Sequence, residues 1–155
     1  MELYENKQYR IFEMFQKDWA LVTAGDMKCF NSCTVGWGSM GTLWTRKNST
    51  GSSVTVYIHP ARYTYELLKD SEYFTVSFYP ESCREALAYM GSHTGRTENK
   101  ADGCALTPVQ MGESVTYAEA GLSILCRKLY MSQLDKAGLA PEIKDYYTSS
   151  PASIR

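Results

Sequence analysis

Between His59 and Glu66 the chain reads HPARYTYE, which sets an imidazole, a guanidinium, a phenol and a hydroxyl directly ahead of a helical pattern. Thr64 is of a helix-capping type, Tyr65 to Asp70 suit a short helix, and Glu66 suits its positive first turn. Unpaired N–H groups, the helix dipole and the Arg62 guanidinium then converge on one spot, and such a spot suits a phosphate. The same residues also fit a solvated arginine beside a capped surface helix.

A second stretch, Asn31 to Thr45 (NSCTVGWGSMGTLWT), sets Gly36, Gly38 and Gly41 among Thr34, Trp37, Thr42 and Trp44. Glycine weakens a strand unless a bulge, another backbone or a ligand must come close. One reading is a kinked barrel strand with a bulge. The other is a platform whose backbone N–H groups reach the edge of a ligand, with Asn31 and Thr34 adding side-chain hydrogen bonds. A third stretch, Gly91 to Gly103, carries His93, Arg96 and Lys100, and its composition is that of a solvent-facing connector.

The elements that must hold these residues follow from periodicity. Val54, Val56 and Ile58 alternate with Thr55, Tyr57 and His59 as in a half-buried strand, which Pro60 ends. Tyr73 to Tyr79 alternates again. Upstream, Ile11, Met14 and Phe15 permit an amphipathic helix or an irregular arm, and Ala20 to Thr23 reads as a strand closed by a turn. Arg46 to Ser53 is a polar hairpin loop, and Cys83 to Met90 is a helix of about two turns ending near Gly91. Val115 to Tyr117 and Gly121 to Tyr130 read as two antiparallel strands joined near Glu119 to Gly121, and Pro141 to Tyr147 as a last helical turn.

The chain has 155 residues, 44% hydrophobic and 21% charged, which fits one domain spanning 1–155. Its formal net charge of -1, with no run of Lys and Arg, excludes the footprint of a nucleic-acid or anionic-membrane binder. No apolar window suits a signal peptide or a membrane span, so a cytoplasmic location is expected. Five scattered cysteines without a C-x-x-C pair point to reduced thiols, and two histidines give a metal site little to draw on.

These stretches resemble the flavin reductase-like family of FMN-binding split barrels, especially its flavoredoxin-like branch. H-P-A-R-Y-T-Y-E followed by Y-F-T-V-S-F-Y-P-E resembles the segment that binds the FMN phosphate, with His59 where a first Arg is usual. N-S-C-T-V-G-W-G-S-M-G-T-L-W resembles the N-x-M-T-x-G-W-G-x-x-G-T-x-W pattern, with Cys33 in place of Met. The resemblance implies a mainly β split barrel with short helices. It implies FMN held by Asn31, Cys33, Thr34, Trp37, Ser39 and Gly41 around the ring and ribityl chain. His59, Arg62, Tyr63 and Thr64 are expected near the phosphate, and Ser77, Phe78 and Tyr79 at its edge.

Arg96 matches the family's S-G-R-D segment and is expected to meet a nicotinamide nucleotide phosphate or the flavin phosphate of a second subunit. The implied activity is hydride transfer from NAD(P)H to FMN and electrons onward, with no catalytic side chain because the cofactor carries the chemistry. The alternative is a flavoredoxin-like FMN carrier reduced by a partner protein. Family members are typically homodimers with FMN at the interface. Relatives end in a further strand, whereas this chain runs from Asp145-Tyr146-Tyr147 into TSSPASIR, leaving a sheet edge open or covered by another segment.

Overall fold

The computed structural model describes residues 7–44 and 51–149. Its centre is a four-stranded antiparallel sheet in the order β2-β1-β5-β8, made of β1 (Ala20–Asp26), β2 (Cys29–Val35), β5 (Tyr73–Phe78) and β8 (Leu122–Arg127). The β1–β2 turn is tight because the Asp26 carboxylate accepts from the Lys28 and Cys29 amides at 2.8 and 3.0 Å. Gly25 takes φ +98°, and a Cβ there would sit 2.1 Å from the Cys29 carbonyl oxygen, so only glycine fits.

Strand alternation sends side chains to two different cores. On one face Val22, Ala24, Cys33, Phe74, Val76 and Phe78 pack with Phe15 and with Leu68 of α2 (Tyr63–Asp70). The hairpin of β3 (Gly38–Thr42) and β4 (Ser52–Val56) adds Met40, Val54 and Val56 to that core. On the other face Leu21 packs with Tyr117, Leu106, and Leu87 and Met90 of α3 (Arg84–Ser92). β5 is therefore buried on both faces from Phe74 to Phe78, and its alternating pattern is not that of a half-solvated strand.

Four expectations are corrected. β4 ends at Val56, so Ile58 packs on the core from outside the strand. The helix after Pro60 starts at Tyr63 with Arg62 as its N-terminal flanking residue, and no side chain caps it. Thr64 instead is fully buried inside the first turn. Finally, β7 (Ser114–Tyr117) pairs with β6 (Pro108–Met111) through a turn at Gly112, φ +59°, and β8 pairs with β5. The Gly121 amide, donating to the Phe78 carbonyl at 2.9 Å, steers the chain back to the sheet edge.

Upstream of β1, α1 (Ile11–Glu13) runs into a single π turn, Met14–Asp18. The amphipathic-helix and irregular-arm readings are each half met. Further along the chain lies α4 (Pro141–Ser149), and β8 has a ladder partner on one side only among the described residues. The Arg46 to Ser53 loop lies largely outside the described residues, although the β3–β4 pairing it was expected to join is present.

Candidate functional site

At the open edge of β2, α2 and the loop after α3 enclose a cavity of about 150 Å³. Two cations line it, Arg62 and Lys100, and no carboxylate does. Arg62 flanks α2, and its Nη1 donates to the Gly91 carbonyl at 2.5 Å. Lys100, only 5% exposed, is carried in by the loop; its Nζ donates to the carbonyls of Ser32 and, at 2.8 Å, Met90. No carboxylate pairs with either cation among the described residues. Burial holds Lys100 below the usual lysine pKa, and the nearby Arg62 charge lowers it further. Two unneutralised cations facing one cavity create a strong demand for an anion.

The walls are fixed by β2 and the first turn of α2. Asn31 and Cys33 point to the same side of β2; Asn31 Nδ2 donates to Thr64 Oγ1 at 2.7 Å. That bond satisfies the buried Thr64 hydroxyl and explains why it does not cap. Burial pushes the Cys33 thiol up, so it stays protonated and acts as a small apolar wall. Tyr63, His93 and Thr94 complete the rim. Gly95 closes on Asn31 so tightly that a Cβ would lie 1.9 Å from Asn31 Oδ1.

The structure brings Asn31, Cys33, Arg62 and Tyr63 together at this cavity, with Thr64 directly behind. Thr34, one residue along β2, faces the opposite side and donates through Oγ1 to the Leu87 carbonyl at 2.5 Å. There it lines a second compartment, an open groove of about 350 Å³, with Gly36 and Gly91. Ser92 borders both spaces. Trp37, Ser39 and Gly41 lie further along the glycine stretch, exposed, and a Cβ on Gly41 would meet nothing within 4 Å.

His59 stands outside the cavity lining. Its Nδ1 accepts from the Ala61 amide at 3.1 Å, so the ring braces the turn before α2. Ser77 faces away, sharing hydrogen bonds of 2.9 Å with Thr116 and Ser123; Phe78 packs edge-on against Phe15 at 5.3 Å. The Tyr79 hydroxyl is buried with no hydrogen-bond partner within bonding distance among the described residues, and burial pushes its pKa up against the nearby Ser77 and Thr116 hydroxyls. These three residues do not reach the cavity within one chain. Arg96 is committed to an ion pair with Glu66 and to the Ala61 carbonyl at 3.0 Å, with Tyr63 under its guanidinium.

Lys100, missing from the expected site residues, is the main addition. Two sequence signals bore on it: composition, which assigns a lysine in a polar loop to solvent, and the resemblance of that loop to the family's S-G-R-D segment followed by Lys, from which only Arg96 was expected at the site.

At the far side of the groove the chain enters β1 through Trp19, whose φ of 64° and ψ of 146° are unusual for a side-chain-bearing residue. Such backbone costs on the order of 1–3 kcal/mol and persists only where its surroundings enforce it. Here Arg84 enforces it: its guanidinium lies 3.5 Å over the indole and its Nη1 bonds the Lys17 and Asp18 carbonyls that end the π turn.

The flavin reductase like domain family matches residues 15–129. This chain belongs to that family. Flavoredoxin of Desulfovibrio vulgaris (Miyazaki F) is similar in structure with a TM-score of 0.66 at 18% identity, covering 92% of this chain and 81% of its own. An FMN-binding protein from Thermus thermophilus, solved with bound 1-cyclohex-2-enone, gives 0.65 at 20%, covering 86% and 72%. A protein with a split-barrel domain from Shewanella frigidimarina gives 0.62 at 16%, covering 84% and 67%. The fold is thus the split barrel, with the strand ladders among the described residues not closed into a continuous ring. No curated protein matches the chain.

Proposed function

We propose that the chain binds FMN and works as an oxidoreductase of the flavin reductase type, taking reducing equivalents from NAD(P)H and passing them to an acceptor. The observation that carries this reading is the cavity with two cations and no carboxylate, whose residues fit a phosphate. Arg62 and Lys100 supply charge, and Asn31 and Tyr63 supply polar wall. When bound, FMN supplies the hydride and electron chemistry. The protein's own residues bind, orient and exclude water. Buried Thr64 and protonated Cys33 keep the inner wall dry and neutral, so the two cations act at low local dielectric. Thr34, Trp37, Ser39 and Gly41 would hold the ring and ribityl chain, Ser77, Phe78 and Tyr79, away from the cavity within one chain, would lend only backbone at the cofactor's edge, and His59 would act indirectly through the turn it braces.

Arg62→Ala tests the site. Losing one charge-assisted contact weakens FMN binding by about 1.5–3 kcal/mol, more than tenfold, in isothermal titration. Unchanged affinity would move the phosphate elsewhere.

The flavoredoxin-like carrier remains the second reading, and Arg96 favours it, because its pairing with Glu66 leaves it committed rather than open to a nucleotide phosphate. Mixing the protein with NADPH and free FMN separates the two: steady oxidation supports the reductase, and silence supports the carrier.

The cell location proposed is the cytoplasm; no helix among the described residues is long and apolar enough to cross a membrane. A homodimer is proposed on the exposed aromatic surface of Trp37, Trp44 and Tyr57 on the β3–β4 side, with Tyr130 edge-on to Trp44 at 6.4 Å. Sedimentation equilibrium at micromolar concentration reports it directly.

A further inference from the structure

The last turn of α3 holds a row of three donors. Its successive carbonyls each meet a side chain that lines the anion cavity: Tyr89 meets His93 at 3.1 Å, Met90 meets Lys100 at 2.8 Å, and Gly91 meets Arg62 at 2.5 Å. His93 is the residue that closes the helix. Its Nδ1 faces the Tyr89 carbonyl and, also at 3.1 Å, Ser92 Oγ, whose own proton is taken by the Ala88 or Tyr89 carbonyl. A carbonyl can only accept, so Nδ1 carries the proton and the neutral ring keeps its lone pair on Nε2. No hydrogen-bond partner meets Nε2 among the described residues.

We propose that His93 is the third cation of this site, taking up a proton from solvent when an anion enters, so that the cavity binds a dianion and a proton together. The surroundings suit a charged ring. The end of α3 is the negative end of its dipole, and His93 sits on it. The imidazole lies flat on Tyr89, with centroids 3.7 Å and planes 18° apart, which gives an imidazolium a π face. The Tyr89 hydroxyl donates to Glu98 at 3.0 Å, so the one carboxylate bonded to this stack adds negative charge behind it. Against the charged ring stand Arg62 and Lys100, which face the same space. An anion among the three reverses that balance, because it offsets the like charges and gives Nε2–H an acceptor. The other titratable groups on the wall are Tyr63 and Cys33, and burial keeps the Cys33 thiol protonated. That the dianion is the phosphate of FMN rests on the reading above; the coupling of anion to proton does not.

The probe is sulfate, which keeps its double charge between about pH 6 and about pH 8, where a histidine changes its own. In calorimetric titration sulfate should bind roughly fivefold or more tightly at the lower pH than at the higher, with uptake of part of a proton read from two buffers of different ionisation enthalpy. His93→Gln, at an exposed position, and His93→Phe, which keeps a ring on Tyr89, should each flatten that dependence to within about twofold. The chain's other histidine, His59, lies outside the cavity lining and serves as the internal control. Added sulfate should move the His93 ring resonances toward their acid positions and leave those of His59 in place. A pH dependence that survives in both variants would assign the proton to Lys100 and overturn the proposal. So would sulfate that binds equally at both pH values, or not at all. Sulfate coupled to His93 with no binding of FMN would sink the FMN reading and leave this one standing, and FMN binding with no proton coupled through His93 would do the reverse.

Discussion

The residue that most changes the chemistry of this site is Lys100. A lysine buried against two carbonyls, beside a second cation and with no carboxylate paired to it among the described residues, is a poor contributor to stability in the anion-free protein. Lys100→Met should therefore leave the anion-free protein as stable or more stable by urea denaturation, while cutting the affinity for inorganic phosphate more than about tenfold. Loss of stability together with unchanged phosphate binding would make Lys100 a purely structural residue. Gly95 gives the opposite kind of prediction. Gly95→Ala sets a Cβ 1.9 Å from Asn31 Oδ1 and 2.7 Å from its Cγ, so Asn31 must move and its bond to Thr64 is lost. The expected cost is about 1–3 kcal/mol, the price of an unsatisfied buried group, with phosphate affinity falling in parallel.

At the scale of elements, the arm before β1 is an anchored strut. Phe15, 3% exposed, sits against Phe78 and under Gly38, where a Cβ would lie 2.3 Å from its ring. Through it one residue ties the π turn, β5 and β3 together. Phe15→Ala should cost about 3–5 kcal/mol by chemical denaturation. It should also free the π turn, raising amide exchange at Trp19 and Ala20 ahead of exchange in β5. A loss below about 1 kcal/mol would show that the arm is not part of the cooperative fold.

For the whole molecule, pH tests how the two cores were built. Burial pushes Tyr117 from 10.0 to about 12 and Cys126 from 9.0 to about 12, and raises Tyr79 as well. Groups with raised folded values hold protons that the unfolded chain has released. Their stabilisation is whole below the unfolded values and is lost as pH climbs toward the folded ones. Lys100, with a lowered folded value, works the other way and gains stability up to 10.5, but it is one group against six raised ones, Cys33, Cys104 and Tyr89 being the others. The urea midpoint should accordingly fall between pH 9.0 and about 12. A flat profile there would mean that these hydroxyls and this thiol reach water.

Local chemistry made much of this molecule readable from sequence. Alternation marked the strand positions of β4, β5, β7 and β8, a short apolar run before a turn marked β1, the order of residue types around Pro60 placed a helix behind Arg62, and glycine spacing marked a close approach that Phe15 makes at Gly38 and nothing makes at Gly41. Those features depend on neighbours a few residues away, whose steric and hydrogen-bonding preferences act before any tertiary contact forms. The partners of strands do not depend on neighbours, so β7 was expected beside β8 although it pairs with β6. Likewise Thr64 reads as a cap until Asn31, far off in sequence, claims its hydroxyl. Lys100 reads as solvated until the loop folds it beneath Ser32 and Met90, and Arg96 reads as a free cation until Glu66 neutralises it. Burial and charge pairing are sums over atoms that only the folded chain assembles, and those sums decided which cations are left to meet an anion.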